Sequence, residues 1–205
     1  MATQSVDNYQ QILTFWFGEL DDRGQADALH AARWWKRDPS FDASIRERFG
    51  AVHDAVANGR FDHWLGSPRG RLAFIITLDQ FSRNMFRGSD QMFAFDKRAL
   101  EVAIEGVDLG AHRSLALDER CFFYMPFMHS EDLAAQQRGV ALFVELRDEL
   151  TGEPRQRVAN NLHYAEQHRD IIQRFARFPH RNALLGRASA PEELTFLTQP
   201  GSSFL

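Results

Sequence analysis

Apolar residues recur at intervals of three and four along nearly the whole chain, and no stretch shows the period-two alternation of a half-buried strand. Val6, Tyr9, Leu13, Trp16 and Leu20 share one face and predict a first amphipathic helix. Asp38 then offers a cap and Pro39 suits a first helical turn. Phe41, Ile45, Phe49, Val52 and Val56 run down one stripe until Gly59 supplies a stop. Ser67 and Pro68 repeat the start signal before the segment Leu72 to Met85, which Gly88 ends, and Ser89 can cap a helix reaching about Val107. Asp118 opens an apolar segment to Met128, where Pro126 removes a backbone donor and predicts a kink or an end. Ser130, with Glu131 and Asp132 in the first turn, opens a helix through Leu150, and a longer one runs from Pro154 to about Phe178. Ser189 and Glu192 form a capping-box pattern before a short final helix.

Connections of a few residues make sequential helices antiparallel neighbours. The expected fold class is therefore all-α, one domain over residues 1–205, built as stacked antiparallel helical hairpins. Either a superhelix like that of tetratricopeptide-repeat proteins or a compact multi-helix array satisfies the pattern. Eighteen phenylalanines and four tryptophans give such an array an aromatic core. The Phe-Asp pairs at Phe41, Phe61 and Phe95 are unequally spaced, so no repeat is visible.

A net charge of −4 argues against a nucleic-acid partner held by bulk electrostatics. The lone Cys121 excludes an intramolecular disulfide and fits a reducing compartment. No apolar run reaches membrane-spanning length and no basic leader precedes one, so the expectation is a cytoplasmic protein with no membrane partner.

Three strings are long and distinctive: Leu78 to Gly88 (LDQFSRNMFRG), Phe123 to Asp132 (FYMPFMHSED), and His168 to Asp170 (HRD) with Phe178 to Asn182 (FPHRN). With the opening Ile12 to Gly18 and the terminal Gly201 to Phe204, they make the chain resemble, over nearly its whole length, the bacterial family called domain of unknown function 924. The resemblance implies an all-helical fold similar to tetratricopeptide-repeat proteins. It implies no activity and no catalytic residues.

The candidate chemistry is guanidinium-rich. Arginines outnumber lysines twenty-two to two, and the segment Arg155 to Arg187 carries +5 while the rest of the chain carries −9. Planar bidentate recognition of carboxylate or phosphate is what arginine offers over lysine. Asp79, Arg83 and Arg87 fall four apart. Either Asp79 orients Arg83 toward an anion, or the set forms a salt bridge satisfied internally. His163, Glu166, Asp170, Arg174 and Arg177 make one polar face of the long helix, a solvated stripe or a site. Arg174 and Arg177 lead into His180 and Arg181, where the helix must break and donors can gather. His129, at the end of an apolar run, is a further site candidate, whereas His168 lies toward the apolar side and reads as a hydrogen-bonded core histidine.

No metal site is expected: the His-Glu-x-x-His and Glu-x-x-His patterns are both missing. His53-Asp54 resembles the adjacent pair of metal phosphohydrolases but sits on an ordinary amphipathic helix. An apolar setting raises the Cys121 thiol and disfavours it as a nucleophile. Two functions follow. The first is a binding module whose groove holds an anionic small molecule or an acidic peptide through Asp79, Arg83, Arg87, His129, His168, Asp170, Arg174, Arg177, His180 and Arg181. The alternative is a hydrolase or transferase, with or without a metal, in which His129, His168 or His180 moves protons, Asp79 or Asp170 orients it, and arginines stabilise developing charge. Because arginines outnumber plausible bases, binding is the preferred reading.

Overall fold

The computed structural model describes residues 8–203 and is all-α; its only extended pairing there is an isolated bridge between Leu20 and Ala26. Val6 and Phe204 lie outside the described residues. The helices are α1 (Gln10–Phe17), α2 (Ala28–Trp34), α3 (Pro39–Ala57), α4 (Pro68–Ile75), α5 (Ser82–Met85), α6 (Asp96–Asp108), α7 (Leu117–His129), α8 (Leu133–Asp148), α9 (Gly152–Phe175) and α10 (Pro191–Leu197). Between α4 and α5, Ile76–Phe81 winds as a π-helix. The chain divides into two compact units, residues 1–87 with 91–126, and residues 88–90 with 127–205.

In the first unit, helix starts follow the sequence signals where a side chain caps the turn. Asp38 accepts hydrogen bonds from the backbone of Ser40 and Phe41 and opens α3, and Ser67 accepts from Gly70 to open α4. The first helix is shorter than its stripe suggests. It stops at Gly18, whose φ of 67° is left-handed, so Leu20 falls into the bridge instead. Ser89 caps no long helix: a 3-10 turn (Asp90–Phe93) intervenes, and α6 begins at Asp96. The unit's core is aromatic. Trp16, Phe17 and Trp34 meet Phe122 at ring-centroid distances of 5.5, 5.5 and 4.7 Å, and the Trp34 indole N–H donates to the Trp16 carbonyl.

In the second unit, α8 and α9 pack along their length across a three-residue connection, which makes them an antiparallel hairpin. Pro126, the last residue of the first unit, lies inside α7 without ending it. The α8 cap is Asp132, whose carboxylate accepts from Ala135; Ser130, expected to cap, accepts from the Asp132 backbone. α9 ends at Ala176, in the left-handed region at φ 56°, earlier than the expected Phe178. The final capping pattern is shifted by one residue. Ala190 precedes Pro191, and Glu193 reaches back to the Ala190 amide at 2.7 Å.

Candidate functional site

The ten residues singled out by sequence fall in both units. Asp79, Arg83 and Arg87 belong to the first, and His129, His168, Asp170, Arg174, Arg177, His180 and Arg181 to the second.

Asp79 is fully buried and Arg83 lies 3.1 Å from its carboxylate, as the four-residue spacing predicts. The rest of the Arg83 guanidinium faces inward to protein. It forks onto Asp96 at 2.9 and 3.0 Å and donates to the Asp79 carbonyl. The carboxylates beside it raise its pKa, although burial, the largest single influence, pulls the other way. Arg87 leaves the stripe. The π-helix adds a residue to the turn and α5 ends at Met85, so Arg87 reaches α3 and holds Asp42 bidentately at 2.7 and 3.1 Å, with Asn84 as a further donor. This is the arrangement of an internal salt-bridge network, in which the donors expected to meet a ligand meet carboxylates of the same unit.

In the second unit, Arg177 forks onto Glu193 at 2.6 and 2.7 Å, and that pairing holds the Glu193 carboxyl down to about 2. Arg187 forks onto Glu131 at 2.7 and 2.9 Å, and Glu131 also accepts from the Phe178 amide. Glu131 therefore pins the segment after α9 rather than serving the first turn of α8. Arg174 is exposed and stacks over Phe175 at 4.6 Å, while Asp170 is exposed and paired with Arg169.

Four of the remaining candidates do converge. The rings of His129 and His168 lie 6.3 Å apart, His168 and His180 pack on Phe178 at 5.6 and 5.5 Å, and Arg181 covers the same ring at 4.5 Å while donating to the His129 carbonyl. His168 is the core histidine expected: it is buried and its Nδ1 donates to the Tyr164 carbonyl at 2.7 Å. Burial first, then the neighbouring His129, push its pKa down to about 3, so it stays neutral. A group so acidic as an imidazolium is a poor proton carrier near neutrality.

Elsewhere, His53 meets Ser82 at 2.8 Å with Asp54 behind it at 3.8 Å, the ordering of a nucleophile, base and acid. Both His53 and Ser82 are buried, so no substrate reaches the hydroxyl, and burial lowers the His53 pKa. Among the described residues no group of three histidines, cysteines or carboxylates could hold a metal.

Sequence reasoning missed a groove of about 600 Å³ in the first unit, lined by Asn8, Gln10, Gln11, Thr14, Phe15, His30, Arg33 and Arg48. Phe15 is its aromatic floor, stacked on Phe41 at 5.3 Å and set against Phe49 and Phe81. Arg48 lies over Phe15 at 4.6 Å and Arg33 over Phe41 at 5.7 Å. Among the described residues neither arginine has a carboxylate partner, both are exposed, and no acid lines the groove. The third basic group, His30, is held by Asp27 at 2.7 Å.

Fold and site together define an all-helical protein with an arginine-flanked groove beside an aromatic core. The chain belongs to the family described as bacterial protein of unknown function (DUF924), whose model matches residues 12–201. It is similar to a solved structure of a protein of unknown function from Agrobacterium tumefaciens, with 39% identity and a TM-score of 0.77, covering 92% of this chain and 96% of that one. Among curated proteins none matches.

Proposed function

We propose that this protein is a cytoplasmic binding module for a small anionic molecule, and that the ligand sits in the groove bounded by Arg33 and Arg48. The observation that carries this reading is their contrast with four arginines that are committed to internal ion pairs. Arg83, Arg87, Arg177 and Arg187 each fork onto a carboxylate of their own unit, whereas Arg33 and Arg48 present guanidinium groups to a groove with no acid in its wall among the described residues. Stacking over Phe15 and Phe41 orients the two planar groups without consuming their N–H donors. An oxyanion seated between them gains charge-assisted bidentate bonds, and Thr14 with the Gln10 and Gln11 amides adds neutral donors.

Thermal shift and calorimetric titration with inorganic phosphate test the reading. Wild-type protein should be stabilised by phosphate, and Arg33→Ala or Arg48→Ala should weaken binding on the order of tenfold or more each, the size of a lost hydrogen bond to a charged group. Arg174→Ala, outside the groove lining, should retain the full response. Retention in both groove variants together with loss in Arg174→Ala would return the site to the C-terminal arginines.

A further inference from the structure

We infer that the groove selects an oxyanion that still carries a proton, with hydrogen phosphate the simplest, over one that carries none, such as sulfate; this rests on the proposed binding of anions between Arg33 and Arg48. The selecting group is His30, and the device that sets its proton is Asp27.

Asp27 divides its carboxylate between two tasks. Oδ1 accepts from the backbone amides of Leu29 and His30 at 2.8 and 3.0 Å, capping α2, and Oδ2 accepts from His30 Nδ1 at 2.7 Å. A carboxylate that is ionised can only accept, so the ring must place its proton on Nδ1. Asp27 stays ionised: its pKa is lowered, first by the His30 backbone N–H and next by the ring itself. Gly18 keeps the pair in place. A side chain there would come within 2.6 Å of the His30 ring and 3.0 Å of Asp27 Oδ2, so the absence of a Cβ is what lets the imidazole pack against this turn.

With Nδ1 committed, a neutral His30 has one remaining polar atom, the Nε2 lone pair, and that atom is an acceptor. Among the described residues, every other polar side chain lining the groove is an arginine, an amide or a hydroxyl, all able to donate. An anion in the groove therefore meets many donors and one fixed acceptor. Hydrogen phosphate satisfies both, accepting from the arginines through its oxygens and donating its P–O–H to Nε2. Sulfate near neutrality has no proton to give and must set a negatively polarised oxygen against the lone pair, which is discrimination by an unfavourable contact rather than by extra attraction.

Calorimetric titration of the whole chain with phosphate and with sulfate, at about pH 8 where hydrogen phosphate keeps its proton and sulfate has none, tests this. Wild-type protein should prefer phosphate by on the order of tenfold or more, the cost of one unmatched polar contact. Asp27→Asn keeps a good helix cap but can donate to the ring, which moves the proton to Nε2; sulfate should then bind nearly as well as phosphate. His30→Ala should also erase the preference while retaining binding through the arginines. Equal affinities for the two anions in wild-type protein, or a preference unchanged in both variants, would overturn the inference and leave anion binding standing. Failure of both anions to bind would overturn the binding reading and the inference with it.

Discussion

At the scale of single residues, the clearest consequence concerns His168. The folded chain holds this imidazole neutral down to about pH 3, against 6.5 for the ordinary group, so below 6.5 the unfolded chain takes up a proton that the folded chain refuses. Its contribution to stability is therefore complete above 6.5 and is lost as pH falls from there toward 3. One proton corresponds to a slope of up to about 1.4 kcal/mol per pH unit. The depressed carboxyls of Glu131 and Glu193 act in the same direction but below their ordinary 4.5, which leaves a window above it to the histidines. His53, lowered by burial, adds to the slope. His168→Asn, which keeps a donor for the Tyr164 carbonyl, should flatten part of the stability decline between pH 6.5 and 5 in chemical denaturation; an unaltered slope would mean that His168 is solvated. The placement of His168 on the apolar side was legible because helical periodicity alone decides it. The fates of Arg177 and Arg187 were not. Arg187 pairs with Glu131, 56 residues earlier, and no local pattern announces a partner at that distance.

Elements with a cap and a long apolar stripe could be read from sequence, as α3 shows: Asp38, Pro39 and the Phe41 to Val56 stripe place it closely. α2 could not, because none of its seven residues is fully buried, Trp34 only partly so, and they leave no stripe to detect. The π-helix was hidden for a different reason. Residues 70–82 are all buried, so their apolar pattern is continuous and cannot reveal an added residue in the turn. Close packing between elements also has a sharp test at Gly106. A Cβ there would collide with the Arg71 side chain and the Phe123 ring, and Arg71 cannot retreat because it donates to the carbonyls of Val102 and Leu65 and to Glu105. Gly106→Ala should cost about 1–3 kcal/mol of unfolding free energy despite its better helix propensity. A stabilised variant would show that α6 and α4 approach less closely than described.

At the scale of the molecule, the all-helical class followed from the dominant period of three to four, and no described helix is long and apolar enough to cross a membrane. What the pattern could not supply was the groove. Arg33 and Arg48 are fifteen positions apart on α2 and α3, each resembling an ordinary solvated arginine, and only the folding of α1, α2 and α3 around Phe15 makes them neighbours of one cavity. The conspicuous arginine run after Arg155 instead carries ion pairs that tie its own unit together. In Arg177 and Arg187 that charge density serves internal pairing, while the proposed site rests on sparse charges with no carboxylate partner among the described residues. The most direct measurement is a calorimetric titration of inorganic phosphate into wild-type protein and into the Arg33→Ala/Arg48→Ala double variant. Saturable binding by the wild type that disappears in a folded double variant is the predicted result; equal binding by both proteins would contradict it.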